Sequence, residues 1–347
     1  MKFGPVRVAN SIGGIVVHSV RQDGLVLKKG QVIRAEQVAA LEAAGVAEIV
    51  VAQLDAGDVG ENEAALQLAQ RFAGEHVRVE APFTGRSNLY SETAGVLVID
   101  EANLEAANGV DERVTFATLA PWQSIVEGEM IGTVKIIPYA VEASIVARVE
   151  TLAQQPLIRV AAYTPQRIAV ISTLLPGLKA STVKKTLRVL DDRLAPAGSR
   201  IAVETRVPHE QGALSSAISD AARQSDIVIV FGASAITDRR DVIPRALEEA
   251  GGEIVHFGMP VDPGNLLLVG RYVDRGRRVP VIGAPGCARS PKLNGFDWVL
   301  QRLLAGIEVT SADIRRMGAG GLLMEIVSRG QPREKADDDE IADASAA

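Results

Sequence analysis

The chain has 347 residues, 47% of them hydrophobic, 23% charged and 4% aromatic, which suits a globular protein of two or three domains with room for substantial cores. A formal charge of −6 without any Lys/Arg-rich block argues against a nucleic-acid partner, and the single cysteine, Cys287, excludes an intramolecular disulfide framework and thiolate metal clusters. No apolar run approaches the ~20 residues that span a bilayer, and Met1 to Gly14 lacks the apolar core of a signal peptide, so no membrane association and a cytoplasmic location are expected.

In chain order, Val38 and Leu41 share a helical face that Gly45 terminates, and a strand follows at Glu48-Ile-Val-Val51. A second helix is expected over Glu61 to Phe72, with Ala65, Leu68 and Phe72 on one stripe. From Val77 to Thr118 short apolar groups broken by Gly, Asn and Asp, such as Gly95-Val-Leu-Val-Ile-Asp100, read as mixed short elements. Gly128 to Pro138 reads as a strand ended by its proline, and Val141 to Ala153 as a helix. Residues 1–156 are therefore expected to form a mixed α+β region, divisible into two subdomains.

After Pro156 strands alternate with helices of about ten residues or more, the pattern of βαβ units around a mainly parallel sheet. A second domain is expected over 157–312. Its strands are Arg167 to Thr173, Arg200 to Glu204, Asp226 to Phe231, Glu253 to Phe257 and Val279 to Gly283. Its helices carry Val183, Leu187, Leu190 and Leu194 on one face and Leu214, Ala217, Ile218 and Ala221 on another, with two more at Val242 to Ala250 and Phe296 to Ala305. Residues 313–347 form an extension, acidic, alanine-rich and expected to be disordered from about 334.

Open α/β sheets bind ligands beyond the carboxyl ends of their strands, which directs attention to three loops. Gly232-Ala-Ser234 to Asp241 joins a fully apolar strand to a helix; its small residues admit a ligand to the backbone, and Asp238 and Asp241 suit either a cation or helix capping. Pro263-Gly264-Asn265 fixes a tight turn. Pro285-Gly286 to Lys292 precedes a helix start near Asn294, so Arg289, Ser290, Lys292 and free amides suit a phosphate, and equally a polar surface connection. Cys287 in this loop sits near cationic side chains that favour a lowered thiol pKa, but no base accompanies it. His18, His76, His209 and His256 show no paired ligand spacing. Neither a G-x-G-x-x-G after the first strand nor a P-loop occurs.

The three loops, in this order, resemble the molybdopterin-binding domain shared by molybdopterin adenylyltransferases, molybdotransferases and gephyrin. Gly232-Ala-Ser234 with Asp241 resembles the Gly-Gly-x-Ser-x-Gly-x-x-Asp loop, Pro263-Gly264-Asn265 the Pro-Gly-Lys-Pro element, and Gly283-Ala-Pro-Gly-Cys-Ala-Arg-Ser290 the closing Gly-x-Pro-Gly-Asn-Pro-x-Ser. Ile171-Ser172-Thr173 resembles the opening Ser-Thr. The sequence departs where Leu174-Leu-Pro-Gly-Leu178 replaces an acidic tripeptide and where Asn265 replaces lysine. It is most similar to a divergent group often joined to a cytidylyltransferase-like domain, which this sequence lacks.

The resemblance implies a three-layer fold and a role in molybdenum cofactor biosynthesis. Ser172, Thr173, Gly232, Ala233, Ser234, Pro263, Gly264, Asn265, Pro285, Gly286, Arg289, Ser290 and Lys292 would bind molybdopterin or its adenylylated form, and Asp238 and Asp241 would hold Mg²⁺ during molybdate insertion with AMP or ATP chemistry. It leaves open a non-catalytic carrier that serves a separate nucleotidyltransferase or molybdoenzyme. It also implies a homo-oligomer, in the form of a dimer.

Overall fold

A computed structural model describes residues 1–22 and 24–323 as a mixed α/β protein. Contacts divide the described residues into two units: Met1–Gln166 with Leu194–Arg200 and Leu300–Glu308, and Arg167–Arg193 with Ile201–Val299 and residues 309–323. The segment expected to be disordered from about 334 lies outside the described residues. Among the described residues no helix is long and apolar enough to cross a membrane.

The first unit opens with a three-stranded sheet in which β1 (Lys2–Arg7) and β2 (Ile15–Val16) flank β3 (Glu48–Gln53), both antiparallel to it. Between β2 and β3 in the chain, α1 (Ala35–Ala43) buries Val38 and Leu41, the two residues whose spacing marks it as a helix. The larger core of this unit lies under α2 (Glu61–Phe72), which buries Ala64, Ala65, Leu68, Ala69 and Phe72. Glu61 and Glu63 at its start and Arg71 in its last turn complement the helix dipole.

Four antiparallel strands form the sheet of this core: β4 (Val77–Val79), β5 (Arg86–Ser91), β7 (Val114–Thr118) and β9 (Met130–Ile136), in the order β7-β9-β5-β4. The Phe72 and Phe116 rings meet at 4.2 Å between centroids, and α3 (Glu101–Asn108) and α4 (Ala143–Leu152) belong to the same unit. A separate sheet places β6 (Gly95–Ile99) between β8 (Ser124–Ile125) and β10 (Ile158–Ala162). The first strand after Pro156 thus pairs antiparallel with β6 and is part of the first unit.

The second unit is built on six strands: β11 (Arg167–Leu174), β12 (Arg200–Pro208), β13 (Ile227–Phe231), β14 (Glu253–Phe257), β15 (Leu268–Asp274) and β16 (Arg277–Ala284), in the order β12-β11-β13-β16-β15-β14. The β11-β13 and β13-β16 pairs are parallel, while β16-β15 and β15-β14 are antiparallel. The mainly parallel sheet expected from sequence is therefore mixed. The reason is a hairpin: Arg275 and Gly276 both have positive φ, 49° and 85°, as a two-residue turn between twisted strands requires. Arg277, just after that tip, donates to the carbonyls of Ser225 and Ala222 at the end of a neighbouring helix instead of facing solvent alone.

That helix, α6 (Gln211–Gln224), buries Leu214, Ala217, Ile218 and Ala221, the face its periodicity assigns, and α7 (Val242–Glu249) buries Ile243, Ala246 and Leu247. Both pack with Ala169, Ile171, Val228, Val230 and Val281 of the sheet in one core. Along β11 side chains alternate between faces, so Thr173 lies on the same face as Ile171, toward α6, and Ser172 on the other. The unit also contains α5 (Ala180–Leu194) up to Arg193 and the first part of α8 (Gly295–Leu304).

Candidate functional site

The carboxyl end of β13 runs directly into Gly232. A Cβ there would meet the Ser234 carbonyl oxygen at 2.7 Å and Ile243 Cδ1 at 2.9 Å, so the chain can fold back on itself only with glycine at this position. The fold-back brings the Ala233 amide 2.8 Å from Thr173 Oγ1 at the end of β11 and leaves Ser234 exposed. Two residues from neighbouring strand ends, which the sequence assigns to one site, are thereby joined.

A histidine that spacing alone singles out for nothing completes the connection. His209 follows β12, with Nδ1 2.8 Å from Thr173 Oγ1 and Nε2 3.0 Å from Ser234 Oγ. A sequence signal for it does exist: Ile201, Val203, Thr205 and Val207 alternate up to Pro208, which places His209 at a strand's carboxyl end.

The two acidic residues of this loop are occupied locally. Asp241 Oδ2 accepts from the Thr237 amide at 2.6 Å, the Asp238 amide at 2.9 Å and the Thr237 hydroxyl at 3.2 Å, and these backbone donors hold its carboxyl below the usual range. Asp241 precedes α7 but makes no side-chain capping bond to it. Asp238 faces Arg240, whose Nε and Nη2 lie 2.8 and 3.1 Å from its two oxygens; that pairing lowers its pKa to about 2. Among the described residues no group of three His, Cys, Asp or Glu is placed to hold a metal ion.

The turn at Pro263-Gly264-Asn265 abuts the start of α8. The Gly295 amide donates to the Pro263 carbonyl at 2.9 Å, and a Cβ on Gly264, whose φ is +145°, would lie 2.8 Å from the Gly295 nitrogen. Asn265 is exposed.

The third loop is shaped from beneath by an arginine that no sequence pattern marks. Arg193, in the last turn of α5, donates to the carbonyls of Ala288, Ser290 and Lys292 at 3.0, 2.7 and 3.3 Å, and its Nε pairs with Asp297 at 2.5 Å. Asp297 in turn accepts from the Asn294 amide at 2.8 Å, tying the loop to the first turn of α8. Three loop carbonyls are thus drawn to Arg193, while the Ala288 and Ser290 amides are taken up within the loop by the Pro285 and Cys287 carbonyls; Lys292 is exposed. Ser290 Oγ accepts from the Lys292 amide at 3.3 Å, and Gly286 is exposed while Pro285 is buried.

Arg289 turns inward. Its Nη1 donates to Thr186 Oγ1 at 2.8 Å, its Nη2 to the Gly232 carbonyl at 2.9 Å, and its guanidinium stands over the Phe231 ring. Burial lowers its pKa from the ordinary arginine value. It locks the third loop to the first. Ser172, in register with Phe231, is buried, and its Oγ has no partner among the described residues. Cys287 does not have the lowered pKa its neighbours suggest: burial, the dominant influence, pushes the thiol up.

Residues 168–305 match the family described as "Probable molybdopterin binding domain". The likeness is to that family over less than half of the chain. Residues 5–53 match a domain of unknown function, and no curated protein matches the chain. Among solved structures, the molybdopterin biosynthesis MoeA protein of Pyrococcus horikosii is similar at 14% identity and a TM-score of 0.30, over 88% of this chain and 75% of its own. A molybdenum cofactor biosynthesis protein of Pyrococcus furiosus follows at 12% and 0.26, covering 88% and 64%. CinA of Thermoplasma acidophilum, a protein of unknown function, is similar at 16% and 0.24, over 34% of this chain and 87% of its own. At these identities and scores none of the three speaks to ligand or reaction. In the molybdopterin-binding-type domain the first loop (232–241) meets the third (285–292) through Arg289, and the second (263–265) meets α8 through Gly295.

Proposed function

We propose that the domain formed around residues 168–305 acts in molybdenum cofactor biosynthesis as a molybdopterin-binding and delivery protein, holding the pterin's phosphate against the first and third loops at the strand ends. The match of these residues to the family carries the reading. The exposed Ser234 hydroxyl and the Lys292 ammonium are the groups offered to the anion, with Asn265 at the margin. Thr173, Gly232, Ala233, Gly264, Pro263, Pro285, Gly286 and Ser290 shape the cleft, and Arg289 and Ser172 sit behind it. Release to a separate nucleotidyltransferase or molybdoenzyme, in the cytoplasm and from a homodimer with helices on both faces of the sheet, completes the proposal.

Carriage is favoured over catalysis because Asp238 is neutralised by Arg240. The second reading, magnesium-dependent molybdate insertion with cleavage of an adenylylated pterin, is supported by one observation: Asp241 Oδ1 has no hydrogen-bond partner among the described residues. Native mass spectrometry of the protein from a cofactor-producing host, or after incubation with molybdopterin, should show a one-to-one pterin complex. No complex under either condition refutes the proposal. Turnover of adenylylated molybdopterin that requires Mg²⁺ and vanishes in Asp241→Asn would establish the second reading over the first.

A further inference from the structure

Thr173 is fully buried, so its hydroxyl proton must find an acceptor within the protein. Its oxygen already accepts the Ala233 amide, and the acceptor within reach among the described residues is His209 Nδ1 at 2.8 Å. Thr173 therefore donates to Nδ1. A neutral imidazole that accepts at one nitrogen carries its proton on the other, so Nε2–H points at Ser234 Oγ, 3.0 Å away. Ser234 then accepts from the ring, and its own proton is turned away from His209 into the open space before the loop. Ser234 is exposed, so nothing buried competes for that proton.

We infer that His209 is a positioning residue: held as the Nε2–H tautomer by Thr173, it fixes Ser234 as a hydrogen-bond donor to an anionic, phosphate-class oxygen of the ligand. The choice of an anion rests on the proposed binding of a phosphate-bearing pterin, whereas the tautomer and the direction of the chain stand on the geometry alone. The arrangement is the reverse of a serine nucleophile with a histidine base, in which Nε2 would accept the serine proton. A lone pair on Nε2 would require Nδ1–H to point at Thr173 Oγ1 and would leave a buried hydroxyl proton without an acceptor.

The chain from Thr173 to Ser234 also explains why the loop after β13 can present a small side chain with a defined direction. Gly232 lets the backbone turn back, Thr173 takes the Ala233 amide, and His209 sets the hydroxyl.

The test has two readouts. Long-range ¹H–¹⁵N correlation of the ligand-free, ¹⁵N-histidine-labelled full chain at alkaline pH, where imidazoles are neutral, should show the ring that disappears in His209→Gln as the Nε2–H tautomer. An Nδ1–H pattern overturns the assignment, whatever the protein binds. Titration with inorganic phosphate should then weaken roughly tenfold in Ser234→Ala and in His209→Ala, and recover to within about threefold in His209→Gln, whose side-chain amide restores a donor near the Nε2 position. Equal loss in His209→Gln and His209→Ala, with both variants folded by circular dichroism, overturns the positioning role. Wild-type protein that binds no phosphate overturns the anion assignment even if molybdopterin binds, and molybdopterin failing to bind while the tautomer and phosphate results hold refutes only the proposed function.

Discussion

Replacing Arg289 by methionine separates a structural arginine from a ligand arm. The side chain makes two charge-assisted hydrogen bonds, to Thr186 Oγ1 and the Gly232 carbonyl, and covers Phe231. Such bonds contribute about 1.5 kcal/mol each at the low end appropriate to a half-buried group, and methionine keeps most of the stem's packing, so a loss of about 3 kcal/mol is expected. At 1.4 kcal/mol per decade, amide exchange across β13 and residues 232–236 should quicken by about a hundredfold. Exchange over α2, in the other unit, should be unchanged and serves as the control. Arg289→Lys should fall between, because an ammonium cannot fork to Thr186 and Gly232 together. Hydrogen exchange read by mass spectrometry on wild type and both variants decides it. Unchanged protection in Arg289→Met, with inorganic phosphate binding lost, would show that Arg289 leaves its buried partners to serve the ligand, and its role as the lock between the first and third loops would be refuted.

Gly232→Ala should weaken phosphate binding and destabilise the second unit by about 1–3 kcal/mol, since the added methyl meets the Ser234 carbonyl oxygen; an isothermal titration and a melting curve indistinguishable from wild type would contradict this. Phe72→Ala, which empties a fully buried site beside Phe116, should cost about 3–5 kcal/mol in urea unfolding of the first unit; a loss under about 1 kcal/mol would show that the core collapses around the gap. Asp111 is held at about 2 chiefly by its bond to Arg113, below its usual 3.8, so its contribution is complete above about pH 4 and is lost as pH falls toward 2. The stability gap between wild type and Asp111→Asn, at most about 1 kcal/mol for a pair in partial contact with solvent, should therefore be present in urea titrations at pH 6 and largely lost at pH 2; a gap that grows on acidification would reverse the sign.

The elements most legible in the sequence are those whose apolar spacing is regular. The buried faces of α1, α2 and α6 follow from 3.6-residue periodicity, and the strands β11 and β13 from short continuous apolar runs. Leu268–Asp274 is not legible as a strand, because its apolar run merges with the preceding loop and the charged turn at Arg275-Gly276 conceals that it folds back on β16. Of the site, the loop glycines are visible as residues, but their reason, close backbone approach at Gly232 and Gly264, is tertiary. Arg193 and His209 stay inconspicuous because both act across the chain: Arg193 reaches carbonyls in the third loop, and His209 lies between residues of two other segments. The carboxylates Asp238 and Asp241 are conspicuous by spacing alone, which does not foretell that Arg240 and two amides take them up.

Strand β12 lies at the margin of the six-stranded sheet, with no further strand beside it among the described residues. Nine residues of extended chain at a sheet edge form a template on which another polypeptide could add and start an aggregate. The alternation that buries one side of β12 puts Arg200, Glu204 and Arg206 on the other, and Pro208 removes an amide at its end. An incoming strand would have to desolvate those charges, including the Glu204–Arg206 pair, to reach the backbone. Polar residues that contribute nothing to the core or to the cleft thus serve solubility, and replacing them with valine would improve the strand's local propensity while opening a route to insoluble assembly.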